Sequence, residues 1–158
     1  MGKHGKPMTV RSKVISILGS IPQFNRKEFC LTFHGVGNSF TNDINLDAAQ
    51  EIIKYFYDKE YKFIITFDDA YESIDPLLMK IIDMNLTIKV FVPFGLIGKE
   101  INGNRVASEA TLKKWSNLNS VQIHSHGYSH TNLTRLSLRD LNYEIERCRD
   151  FNSIYNNE

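Results

Sequence analysis

The sequence predicts an α/β fold of parallel strands alternating with helices, and two observations predict it. Four short apolar runs begin at residues 28, 62, 87 and 120, and each interval between them carries a helical pattern. The runs are continuously apolar, as in strands covered on both faces, and the intervals are long enough for the crossovers that parallel pairing requires.

Residues 1–27 show little periodicity and read as an N-terminal arm or lead-in, leaving 28–158 as the domain. The first strand is expected from Glu28 to Phe33. A helix over 46–58 follows Asn45, a good N-cap, with Leu46, Ala49, Ile53 and Phe56 along one face. The second strand runs from Lys62 to Phe67. Asp75 is expected to cap the next helix, with Pro76 at its first position, and Leu78, Met79, Ile82 and a terminal Asn85 fit a short, well-terminated helix. The third strand spans Thr87 to Val92, and Ser108 starts a helix that turns Leu112 and Trp115 inward. The fourth strand spans Ser120 to His124. Ser137 to Asp140 resembles a capping box, after which Leu138, Leu141, Ile145 and Cys148 recur at helical spacing.

A chain of 158 residues fits one domain, able to bury roughly two-thirds of its unfolded surface. Nineteen basic and eighteen acidic residues give a net charge of +1, so no overall field favours nucleic acid or an anionic membrane. Val14 to Leu18, preceded by Lys3, Lys6 and Arg11, is too short and interrupted to span a bilayer and is a poor signal-peptide core. Cys30 and Cys148 sit in apolar patterns and read as two buried thiols of a reducing compartment rather than a disulfide or metal site. The expected location is cytoplasmic.

In parallel α/β folds, active sites gather at the carboxyl ends of the strands. Asp68 and Asp69 follow the second strand directly, and the fourth ends in His124-Ser125-His126-Gly127-Tyr128-Ser129-His130. Both motifs therefore fall on one rim. Two imidazoles and a carboxylate suit a divalent metal that keeps an open position, leaving one carboxylate to move protons. The spacing of His126 and His130 puts both rings on one face if the segment turns helically, and adjacent Asp68 and Asp69 on an extended strand point to opposite faces. Each motif is weak when taken alone: the aspartates can simply cap the next helix, and a histidine pair four apart says little by itself. No Gly-x-Ser-x-Gly elbow is present, and the glycines at 35 and 37 lack the ending of a phosphate loop.

Residues 63–69, Phe-Ile-Ile-Thr-Phe-Asp-Asp, resemble the first motif of the polysaccharide deacetylases of the NodB-homology, carbohydrate esterase 4 type. His126-Gly127-Tyr128-Ser129-His130-Thr131-Asn132-Leu133 resembles their second, and residues 31–36 and 88–93 are similar in position and character. The resemblance covers about residues 28–151 and implies part of a distorted (β/α) barrel. It implies that Asp68 is the general base, that Asp69, His126 and His130 bind a divalent metal, commonly zinc, and that the reaction removes an N- or O-acetyl group from a carbohydrate. His34 and His124 are then candidate pocket residues.

The chain departs from that family's pattern in several places. Ala70 stands where glycine is usual, Gly127 replaces a Ser or Thr, and His124 is an additional histidine. Beyond His130 there is no His, Trp or Pro, so the family's later Arg-x-Pro element, its Asp/Trp segment and its late acid histidine are not seen. The expectation is a domain incomplete at its C-terminus: a deacetylase-type hydrolase of carbohydrate metabolism, or alternatively a truncated, inactive metal- or sugar-binding remnant. An open half-barrel implies self-association or a complementary chain.

Overall fold

The structure is a computed structural model and describes residues 28–37, 43–149 and 155. The expected N-terminal arm, with Val14 to Leu18, lies outside the described residues. Strands β1 (Glu28–Phe33), β4 (Lys62–Phe67), β5 (Thr87–Val92) and β8 (Val121–Ser125) form one parallel sheet in the order β1-β4-β5-β8. Three of the four match the predicted bounds; the last begins and ends one residue later than expected. Residues Gly35–Val36 (β2) and Asp43–Ile44 (β3) make a short parallel pair beside it.

The crossovers are helical. Helix α1 (Leu46–Asp58) starts at Asn45, whose side chain accepts from the Asp47 and Ala48 N–H groups, and it buries Ala49, Ile53 and Phe56. Helix α2 (Asp75–Ile81) buries Leu77, Leu78 and Ile81, while Met79 is exposed. A 3-10 turn over Glu72–Ile74 precedes it, so Asp75 lies inside the helical run and caps nothing; its carboxylate takes Lys114 and the Trp115 indole N–H instead. Asn85 ends the region in the left-handed conformation at φ 53°. Helix α3 (Glu109–Ser116) is capped by Ser108, which accepts from the Thr111 N–H, and buries Leu112 and Trp115 completely. Each such side chain contributes about 1.5–3 kcal/mol by leaving water.

Among the described residues, the helices cover one face of the sheet only. Phe63, Ile65, Phe67, Ile88, Val90 and Val92 join α1, α2 and α3 in a single core. On the other face Cys30, Thr32 and Gln122 are exposed and Lys89, Phe91 and His124 partly so. Thr32, Thr66, Lys89 and Gln122 lie side by side in register across it. Thr66, at the middle of this face, is buried, so among the described residues the expected burial of both faces is met only in part; the cysteines are free, Cys30 exposed and Cys148 intermediate, not both buried as expected.

Between β5 and α3, strands β6 (Glu100–Ile101) and β7 (Asn104–Arg105) form a small antiparallel hairpin. Asn102 and Gly103 supply its two positive φ values, 50° and 80°, the turn chemistry such hairpins favour. Helix α4 (Leu138–Arg149) follows Ser137, which accepts from the Asp140 N–H as the capping box requires. Its apolar spacing meets the core only in part: Cys148 packs against it and Leu141 is half-buried, but Leu138 is 82% and Ile145 53% exposed. Among the described residues, no helix is long and apolar enough to cross a membrane.

Candidate metal centre

Strand β4 ends at Phe67, and the ladder continues for one residue as the Asp68 N–H donates to the Phe33 carbonyl at 2.9 Å. The chain then reverses through two left-handed residues, Asp69 at φ 65° and Ala70 at φ 50°. Neither is glycine, so the turn is strained and must be held from outside. The hairpin holds it: the Ala107 N–H donates to the Ala70 carbonyl at 2.9 Å, and Tyr71 bridges Val106. Asp69 and Ala70 are thereby buried, which carries Asp69 away from the extended path expected of it.

The second loop is fixed from the neighbouring strand. The His126 N–H donates to the Val92 carbonyl at 2.8 Å, and the Gly127 and Tyr128 carbonyls accept from Phe94 and Gly95 at 3.2 and 2.8 Å. The segment is not helical, contrary to the geometry that the four-residue spacing allowed. Positive φ angles at Gly127 (79°) and His130 (60°) fold it back, so the two imidazoles meet with ring centroids 5.4 Å apart.

Oδ1 of Asp69 lies 2.7 Å from Nε2 of His130 and 3.5 Å from Nε2 of His126. The three donor atoms all fall within 4.8 Å of one another. A tetrahedral ion with bonds of about 2.0–2.1 Å separates its donors by about 3.3 Å, so the spacing fits one. Asp69 Oδ1 is buried with no hydrogen-bond partner, a costly state that a cation would relieve. The carboxylate is 7% exposed, while the imidazoles are 33% and 30% exposed, leaving an outward side for water or substrate. This donor set suits zinc and other divalent first-row ions.

Tyr71 is a neighbour that sequence reasoning did not single out. Burial pushes its phenol up, with the Asp69 charge, a hydrogen bond to the Asp69 side chain and the Asp43 charge adding to the effect. It therefore stays protonated and donates towards Asp69. The only signal for it was its place two residues after the carboxylate. Asp68, next to Asp69 in the chain, is half-buried just past the end of β4. His124 packs on Phe91, ring centroids 5.5 Å apart, and burial with the nearby Lys89 charge pushes its imidazole down. His34 is partly exposed on the rim after β1. Neither His34 nor His124 belongs to the convergent group.

The sequence pattern of the family described as polysaccharide deacetylase matches residues 57–156, and the chain belongs to that family. Among solved structures it is similar to IcaB from Ammonifex degensii, with a TM-score of 0.68 and 15% identity over 78% of this chain and 67% of that one. It is similar also to the Streptococcus pyogenes deacetylase PplD, solved in complex with acetate, with a TM-score of 0.64 and 13% identity over 77% and 66% of the two chains. BC0361, a polysaccharide deacetylase from Bacillus cereus, gives 0.54 and 14% over 82% and 49%. At these identities the likeness is one of fold, a parallel sheet forming part of a deacetylase (β/α) barrel. The chain spans 67%, 66% and 49% of the lengths of these three. No curated protein sequence matches it significantly.

Proposed function

We propose that the chain is a metal-dependent hydrolase that removes acetyl groups from a polysaccharide or amino-sugar substrate. The observation that carries this reading is the convergence of Asp69, His126 and His130 around a buried carboxylate oxygen without a hydrogen bond. These three residues would hold a divalent ion, zinc in the first instance. Such an ion would supply polarisation of the acetyl carbonyl and a more acidic attacking water.

Asp68 takes a proton from that water as general base, a role worth about 10²–10⁴-fold in rate. Its backbone is anchored to Phe33 at the end of the sheet, next in the chain to the ligand Asp69. Water adds to the acetyl carbon, the bond to the sugar nitrogen or oxygen breaks, and the proton taken up by Asp68 is returned to that departing atom, so the products are acetate and a free amine or hydroxyl. In this reading His34 and His124 are kept as pocket residues, His124 backed by Phe91. The expectation of a carbohydrate substrate rests on the family, and acetate is the molecule found with PplD.

The test is acetate release from acetylated chito-oligosaccharides, alongside zinc content. Asp68→Asn is expected to keep its zinc and lose acetate release, whereas Asp69→Ala and His130→Ala lose both. Zinc-free wild-type protein, or unchanged zinc content in the ligand variants, rules the assignment out.

A further inference from the structure

We infer that Glu144 is a positioning residue that clamps the loop between His126 and His130, so that both imidazoles address one ion. The inference rests on the metal-centre reading above and adds a residue to it.

Helix α4 buries a single described residue, and that residue is a carboxylate: Glu144 is 6% exposed. The large apolar side chains beside it face outward, with Tyr143 at 52% and Ile145 at 53% exposure. A helix normally docks through its apolar side, because burying a charge is costly unless it is compensated. Here the compensation comes from the main chain. One oxygen of Glu144, Oε2, accepts from the Tyr128 N–H at 2.9 Å and the Ser129 N–H at 3.0 Å. Two successive backbone donors converging on one anion form a nest-type site. Burial alone pushes the Glu144 carboxyl up, but the Ser129 side chain and the two backbone N–H groups outweigh it and hold it below the usual carboxylate range.

The bonds divide the loop between two supports. The segment after β5 fixes the loop's carbonyls, through Phe94 to Gly127 and Gly95 to Tyr128. Glu144 fixes the donors, at Tyr128 and Ser129. These are the residues between the two histidines, and the second histidine is itself in the left-handed region at φ 60°. Removing the carboxylate leaves two donors unpartnered and frees the strained His130 to relax away from Asp69. Groups that orient metal ligands in this way typically carry about 10–100-fold of metal affinity.

The experiment is a zinc titration of the full chain against a chromophoric chelator, comparing wild type with Glu144→Gln, Glu144→Ala and the exposed-site control Arg139→Ala. Arg139→Ala should match wild type. Glu144→Gln, which keeps the shape and an acceptor, should bind zinc about tenfold more weakly, and Glu144→Ala more weakly still. The visible spectrum of the cobalt-loaded variants should change, which a fold-only role would leave alone. Wild type that binds zinc, with both Glu144 variants within twofold of it and unaltered cobalt spectra, overturns the inference and leaves the metal centre standing. Wild type that binds no zinc overturns both. One measurement needs no substitution: in the zinc-free wild type the Tyr128 and Ser129 amides should exchange slowly. Exchange as fast as that of an exposed loop amide overturns the clamp.

Discussion

Nε2 of His130 lies 2.7 Å from Oδ1 of Asp69, and no hydrogen bond joins them. The two residues follow β4 and β8, which are not neighbours: β5 runs between them. At about 4.7–4.9 Å per strand, their stems stand roughly 9–10 Å apart. The loops must therefore lean towards each other over the end of β5. Each does so through left-handed residues, Asp69 and Ala70 on one side, Gly127 and His130 on the other. Local strain is accepted at both loops, and what it achieves is the convergence of three donor atoms.

Zinc should therefore stabilise the folded chain. At a free concentration of 100 times the dissociation constant, a ligand that binds only the folded state adds about 2.7 kcal/mol. For a domain of this size that raises Tm by about 5–10 °C. The rise should be reversed by a chelator and lost in Asp69→Ala, His126→Ala and His130→Ala. Scanning calorimetry with and without zinc reads it directly, and an unshifted wild type contradicts the site.

Gly95 should matter to the same site without being a ligand. A Cβ added there would meet the Tyr128 carbonyl at 2.7 Å and its ring at 3.0 Å. Because a main-chain atom is in the way, Gly95→Ala must push the histidine loop outward. The expected cost is about 1–3 kcal/mol of stability, as for other overpacked positions, with a fall in zinc affinity. Gly98→Ala is the contrast: it meets nothing within 4 Å and suffers only at its φ of 71°. It should cost about 1–2 kcal/mol and leave zinc binding as it was. Equal zinc affinities in the two variants would contradict the push.

The parts legible in the sequence are those with a local cause. Phe63 to Phe67 and Ile88 to Val92 read as strands because a central parallel strand must be apolar over its whole length. Asp69, His126 and His130 were visible because strand ends place them on one rim. Glu144 was not, because on a charged helix it looks like any solvated residue, and its bonds go to backbone sixteen and fifteen residues earlier. The exposure of Leu138 and Ile145 was equally hidden: helical periodicity says which side chains share a face, not whether anything covers it. The hairpin at 100–105 carried a readable turn, Asn102-Gly103, but its strands are too short to show a pattern.

Asp75 gives a pH prediction. Its carboxylate accepts the Trp115 indole N–H and two contacts from Lys114, all at 2.8–2.9 Å. Burial pushes its pKa up, but these hydrogen bonds and the lysine charge outweigh that and hold it below the ordinary 3.8. The folded value lies under the unfolded one, so the stabilisation is present above pH 3.8 and is lost as pH falls through the folded value. Asp75→Asn should therefore lose less stability than wild type between pH 5 and pH 2. At neutral pH, Asp75→Ala strands the buried indole N–H and should cost about 1–3 kcal/mol. Urea unfolding followed by the single tryptophan measures both. Parallel pH curves for wild type and Asp75→Asn would contradict the assignment.

Ala70 and Ala49 are both fully buried, yet replacing each by glycine should give different results. Either change removes a buried methyl, worth about 0.8 kcal/mol, and loosens the unfolded chain by a further 0.4–1 kcal/mol or so. In α1 that entropy is the main part of glycine's helix-interior penalty of about 1 kcal/mol, so with the lost methyl Ala49→Gly should cost about 2 kcal/mol in total. At Ala70 the backbone sits at φ 50°, where a Cβ costs roughly 1–2 kcal/mol that glycine does not incur. The terms nearly cancel, and Ala70→Gly should leave stability within about 1 kcal/mol of wild type. The Ala107 N–H still meets the carbonyl of residue 70, so the loop carrying Asp69 keeps its course and zinc affinity should not change. Parallel urea denaturation of the two variants decides the matter: if Ala70→Gly costs as much as Ala49→Gly, the turn at Asp69 and Ala70 holds no strain.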